Sequence, residues 1–275
     1  MNQCTLKREV YCSGIGLHTG KHITMMIEPA LPRTGIVFYG KDIPWDIPAR
    51  IENVVDSSRA TVLDAFGLRI STVEHLLAAL YASGIDNARV YVDGPEVPIM
   101  DGSCIAFMES LNNVGVVEQS CKRITLRVLE KISIDGISIE PYEGFGVDYT
   151  IDYHDDVIGR QQFSLDINCE RFGMEIASAR TFGWAGDVEA LWAKGKARGA
   201  STNNVVVIDN GKVANIGGLR YKDEFVRHKI LDLVGDFALL GFRVKGWVKA
   251  DCAGHLHHHN LIRKIMESER IAYES

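Results

Sequence analysis

Two short stretches carry side chains whose types and spacing suit metal-assisted hydrolysis. In FVRHKILDLVGDFALLG (225–241), His228, Asp232 and Asp236 recur four apart, and Val226, Ile230, Leu233, Phe237 and Leu240 keep helical spacing on the other side. A histidine and a carboxylate at i and i+4 stand one above the other on a helix, about 5–6 Å between Cβ atoms, which suits a shared cation. Lys229 lies beside them. The same stripe also describes a solvated helix face with a local ion pair. In STVEHLLAALYASG (71–84), His75 interrupts an otherwise apolar helix, where a lone histidine is ordinarily a satisfied core residue. Ser71 and Glu74 match a capping box and Gly84 a closing glycine, so Glu74 has a structural role available to it.

The two helices belong to a faint internal repeat. Aligning VEHLL (73–77) with VRHKI (226–230) superposes the histidines, and each helix runs on to a glycine, Gly84 or Gly241. A β-prone segment follows in each case (NARVYV or FRVKGWVKA), then a glycine loop (MDGS or CAGH), then a second amphipathic helix (CIAFMESL or NLIRKIMES). Duplication into two similar α+β domains is implied, each a mainly antiparallel sheet packed with two helices, with the active site at their junction. The boundary falls near 115–121, giving domains 1–118 and 119–275.

If the repeat makes the histidine helices pseudo-symmetric partners, His75 meets His228 and Asp232. Two imidazoles and one carboxylate leave an open position, the plan of a catalytic zinc site. Such a site lowers the pKa of bound water towards about 7 and polarises a carbonyl. Glu74 stands next to His75 as a base. Neither H-E-x-x-H nor H-x-x-E-H is present, since Ser71 holds the position that the second motif needs. His255, in the AGH loop, is the candidate general acid or oxyanion donor, with Asp236 to hold its imidazolium. The adjacent His257, His258 and His259 offer a second metal cluster as one reading, but a run of histidines at a loop-to-helix junction reads rather as exposed and only adventitiously chelating.

Between these elements, residues 5–28 read as strand, glycine-rich turn and strand. The turn is no P-loop, because Ile15 stands where the first glycine should be and His22 where Ser or Thr should bind magnesium. His18 in this turn is a candidate ligand contact. Residues 31–70 contain short strands, and alternating strands open the second half from residue 122. The segment SARTFGWAGDVEALWAKGKARGAST reads as a glycine-broken loop with a short helix over 187–194. It either lines an apolar channel or forms a mobile surface insertion. An Asn210-Gly211 hairpin completes the sheet.

Composition limits the choices. The chain has 275 residues, 46% hydrophobic and 24% charged, the profile of a globular protein. A net charge of −6 with a pI near 5.9 offers no general basic field, so nucleic acid is not an expected partner. No run nears the ~18 apolar residues of a membrane span, and Lys7, Arg8 and Glu9 occupy the place of a signal peptide's apolar region, so a cytoplasmic protein is expected. A monomer is a separate expectation, which no motif in the sequence fixes. Six cysteines without a C-x-x-C pair read as structural thiols, with Cys12 or Cys252 as a metal thiolate the lesser option.

The ordered blocks GIGLHTGK, STVEHLLAAL, PIMDGS, ARTFG, DEFVRHKILDLVGD and AGH resemble the UDP-3-O-acyl-N-acetylglucosamine deacetylases, zinc amidases of lipid A synthesis, along almost the whole chain. The resemblance implies that His75, His228 and Asp232 bind Zn2+ and that Glu74 is the general base; Fe2+ in the same ligand set would leave the reaction unchanged. It makes His255 the charged histidine oriented by Asp236, and Thr181 the hydroxyl on the tetrahedral oxygen. Lys229 is implied near the substrate diphosphate and Phe182 near the sugar or uridine. The insertion, about 184–201, becomes an acyl passage lined by Val188, Leu191 and Ala197. The chain departs from the family pattern in HLHHHN, where an asparagine-rich stretch is usual, and in the bulk of Trp184 and Trp192. Two other readings of the residues stand beside this one. A facial triad of two histidines and a carboxylate suits a non-haem iron enzyme, which has no use for Glu74. A duplicated sugar-nucleotide binding protein needs no catalysis at all.

Overall fold

In the computed structural model, which describes residues 1–41 and 43–275, the six helices are α1 (Glu74–Ala82), α2 (Ile105–Val114), α3 (Cys169–Glu175), α4 (Val188–Ala193), α5 (Glu224–Phe237) and α6 (His255–Met266). The fold is α+β, built from two halves of like topology. In the first, strand Ala88–Val92 follows α1 and lies between His22–Pro29, antiparallel, and Ile36–Gly40, parallel. In the second, Arg243–Asp251 follows α5 and lies antiparallel to Ile137–Glu140 and parallel to Phe145–Asp152. A loop and a second helix, α2 or α6, come next in each half. Strand Val116–Lys122 runs through the expected boundary at residue 118 and pairs along its length with Asn2–Leu6.

Helix α1 is rich in Ala and Leu, the best helix formers, and all of its residues but Tyr81 are buried. Its end has the expected glycine. Gly84 sits at φ +76°, Ile85 N–H donates to Leu80 O at 3.0 Å and Gly84 N–H to Tyr81 O at 3.1 Å, the paired bonds of a Schellman close. Its start differs from expectation. Ser71 ends strand Leu68–Ser71, exchanging backbone bonds with Pro95 and Val97, and Val73 is the N-cap without any side-chain cap. The capping box is absent, so the carboxylate of Glu74 is free for other work.

The polar stripe of α5 is not solvated. His228, Asp232 and Asp236 are all buried, because α5 packs its apolar side on strands Phe145–Asp152 and Arg160–Asp166 and turns the stripe towards α1 and α6. Gly235 sets the α1–α5 approach: a Cβ there would lie 2.0 Å from the carbonyl oxygen of Glu74. Helix propensity alone predicts that Gly235→Ala stabilises by about 1 kcal/mol. The contact predicts the opposite sign, a loss at the upper end of about 1–3 kcal/mol from overpacking against backbone, seen as a lower midpoint in thermal unfolding.

Candidate metal centre

Residues from α1 and α5 meet where the helices cross. The rings of His75 and His228 lie 4.9 Å apart at 85° to one another. Nε2 of His228 is 3.4 Å and Nε2 of His75 3.6 Å from Oδ1 of Asp232, and the three side chains are no more than 6% exposed. These separations exceed hydrogen bonds of about 2.7–3.2 Å. They match the edge of about 3.3 Å between ligands held 2.0–2.1 Å from one tetrahedral cation. His228 Nδ1 donates to the Ala179 carbonyl at 3.0 Å, which leaves the Nε2 lone pair facing the centre. The three residues therefore form a candidate metal-binding group.

A second cluster nearby has a different character. Asp236 Oδ2 accepts from His255 Nδ1 at 2.7 Å and His258 Nδ1 at 2.8 Å, and Oδ1 accepts from His259 Nε2 at 3.1 Å. These are hydrogen-bond lengths, so the group is a bonded network although its atoms are close enough to suggest a metal. His258 and His259 are fully buried, and only His257 is partly exposed, which corrects the reading of an exposed run. The reason is register: the histidines start α6, whose first turn packs on the buried stripe of α5.

Burial and charge set the protonation of these groups. Burial raises the pKa of Glu74, against the pull of His255 and His75. Burial works against the His255 imidazolium, but Asp236, then Asp232 and Glu74, outweigh it and push its pKa up to about 9. Asp232 and Asp236 stay well below the carboxylate range despite burial, through Lys229 and His228 for the first and His255 and His259 for the second. Burial lowers His228 to about 4, so its imidazole is neutral, the form a metal ligand requires. Lys229 Nζ sits 2.8 Å from Asp232 Oδ2, and that carboxylate holds it charged in spite of burial.

The segment 179–182 passes close by. Thr181 N–H donates to Gly102 O at 2.8 Å in the MDGS loop, and its carbonyl accepts from Val206 N–H at 2.7 Å. Gly102 is obligatory there, at φ +87° with a Cβ position 1.9 Å from Asn204 O. Phe182 packs edge-on against Phe225 at 5.0 Å and His228 at 6.3 Å. His18 is half-buried, its Nδ1 accepting from Ala197 N–H at 3.3 Å. Arg198 and Gly199 N–H donate to His18 O and Leu17 O, so the 184–201 insertion is docked on the first half. Val188, Leu191 and Ala197 are each half-buried within it.

Several supporting residues escaped the sequence reading. Arg180 and Glu224 form a buried pair at 2.8 Å that locks the 179–182 segment to the start of α5, and both lie within the ARTFG and DEFVRHK blocks. Glu96, fully buried, accepts from the backbone of His18 and Thr19 and from Thr72 Oγ1. It thereby holds Thr72 at φ +58°, a strained position for a β-branched residue, two residues before Glu74. No local motif announces Glu96.

Asp101 ties MDGS to the second half, accepting from Arg220 at 2.6 Å and from Ser103. Although burial opposes it, Arg220 and Ser103 lower its pKa. A depressed carboxylate stabilises above its unfolded pKa of about 3.9 and loses that contribution as pH falls through its folded value. Asp101→Asn should therefore lower the unfolding midpoint at pH 7, with the two proteins converging below about pH 4.

Comparison with known proteins shows the family of the chain. The family model of the UDP-3-O-acyl N-acetylglycosamine deacetylases matches residues 3–267. The chain belongs to this family. Among its relatives are UDP-3-O-acyl-N-acetylglucosamine deacetylases of Myxococcus xanthus, 46% identical over 99% of this chain and 88% of the relative, and of Syntrophotalea carbinolica, 47% identical over 96% and 87%. That of Nitratidesulfovibrio vulgaris is 43% identical over 100% of the chain and 91% of the relative. Family members are deacetylases, and His75, His228 and Asp232 are a candidate metal-binding group in this one. Among the described residues no helix is long and apolar enough to cross a membrane.

Proposed function

We propose that the chain is a zinc-dependent hydrolase that removes acetate from the 2-acetamido group of a UDP-linked 3-O-acylated glucosamine, in the cytoplasm, as a monomer serving lipid A synthesis. The observation that carries the metal-dependent reading is the pair of 3.4 and 3.6 Å separations that bring His75, His228 and Asp232 round one point. Family membership and the relatives' names support the substrate. When bound, zinc supplies a Lewis acid for the acetamide carbonyl and an acidified water.

The protein's own groups then do the following. Glu74, made more basic by burial, takes a proton from the attacking water as the C–O bond forms. The Thr181 hydroxyl donates to the oxyanion that develops on the carbonyl. His255, kept protonated by Asp236 up to about pH 9, gives its proton to the nitrogen as the C–N bond breaks, leaving acetate and a free amine. Lys229 meets the diphosphate, Phe182 and His18 meet the sugar nucleotide, and Val188, Leu191 and Ala197 line the acyl passage.

The test is acetate release from the UDP-linked substrate. Activity should vanish on exhaustive chelation and return on adding about one equivalent of zinc per chain. Full turnover by the metal-free protein would refute the proposal.

A further inference from the structure

Thr61 has no place in the reaction sequence above, yet it touches both of its arms. It is fully buried at the entry to strand Val62–Ala65. Its backbone N–H donates to Glu74 Oε2 at 3.0 Å, and its hydroxyl donates to Asp236 Oδ1 at 2.5 Å. Its carbonyl accepts from Val73 N–H, the residue that opens α1, at 3.5 Å. One residue thus grips the start of α1, one oxygen of its glutamate, and the carboxylate on α5 that orients His255.

The donor inventory makes the hydroxyl's role specific. Asp236 is a saturated acceptor, with His255 and His258 on Oδ2 and Thr61 and His259 on Oδ1. His259 Nδ1 is in turn paired with the Ser57 hydroxyl at 2.7 Å, which leaves Nε2–H to point at Asp236 and Thr61 Oγ1. Removing the Thr61 hydroxyl leaves Oδ1 with one long bond and lets the carboxylate rotate, carrying His255 with it. Glu74 would keep its backbone bond but lose the brace behind it.

We propose that Thr61 is a positioning residue that couples the placement of Glu74 to that of Asp236 and His255. This rests on the roles proposed for those three residues. Thr61→Val keeps the shape and the backbone N–H and removes only the hydroxyl, and Thr61→Ser keeps the hydroxyl.

The experiment measures kcat, KM and bound zinc for Thr61→Val, Thr61→Ala and Thr61→Ser, beside Glu74→Gln and His255→Ala. Loss of an orienting partner should lower kcat about 10–100-fold in the Val and Ala variants, with KM and zinc content unchanged, and the Ser variant should regain most of it. A purely structural Thr61 would lower the unfolding midpoint and leave kcat per folded molecule intact, which would overturn the inference. If Thr61→Val does not fold, the comparison of Ser with Ala decides by the same criterion. Loss in Glu74→Gln and His255→Ala with full kcat in the Thr61 variants sinks this inference alone. Full turnover in Glu74→Gln and His255→Ala sinks the functional reading and this one with it.

Discussion

Asp232→Asn is expected to release the metal and the activity together. Asp232 is the only carboxylate of the candidate group, and its Oδ1 lies within 3.6 Å of both imidazole nitrogens. Losing a partner outside the ligand set already costs about 10–100-fold in metal affinity, so losing a proposed ligand should cost more than about 100-fold. A second effect adds to it. Lys229, its side chain 13% exposed, lies 2.8 Å from the buried Asp232 Oδ2, and an amide in place of the carboxylate leaves its charge without a counter-ion. Breaking a buried pair from one side costs about 3–5 kcal/mol, so the variant should unfold at a lower temperature even with metal in excess. Equilibrium dialysis against zinc, with thermal unfolding alongside, separates the two losses. A variant that holds one zinc as tightly as the parent would remove Asp232 from the ligand set.

Glu74→Gln should behave in the opposite way, keeping the metal and losing turnover. The amide keeps the size of the side chain and an oxygen for the Thr61 N–H, so the start of α1 is preserved. It cannot take a proton. General-base catalysis contributes about 10²–10⁴-fold, and kcat should fall by that factor while bound zinc stays at the parent level. The absence of a capping box sharpens the test. With Ser71 in a strand and no side-chain cap on α1, the carboxylate does no helix-capping work that the substitution would disturb. A near-normal kcat would move the base elsewhere.

The features legible in the sequence are those that local spacing controls. The i, i+4 pattern of 225–241 marks α5 to within a few residues, the Gly84 close is as read, and the Asn210-Gly211 turn has both residues at positive φ. The repeat of helix, strand, loop and helix predicts that His75 and His228 face one another, and their rings lie 4.9 Å apart. What packs on a face is not a local property. The same stripe reads as solvated or buried until α1 and α6 are placed on it, and the 257–259 histidines read as exposed until α6 is seen to start there. The capping box failed for a related reason: strand Val62–Ala65 pairs with Leu68–Ser71 and takes Ser71 into the sheet. Thr61 and Glu96 carry no motif, and their importance comes from contacts 12 to 198 residues away for the first and 24 to 78 for the second.

All of the chemistry proposed depends on a cation shared by helices that lie far apart in the chain. Anomalous diffraction at the zinc edge, from crystals of the protein purified without chelator, tests this most directly. The expected result is one peak about 2.0–2.2 Å from His75 Nε2, His228 Nε2 and an oxygen of Asp232. A peak instead among Asp236, His255 and His258, with the first three side chains unligated, would contradict it.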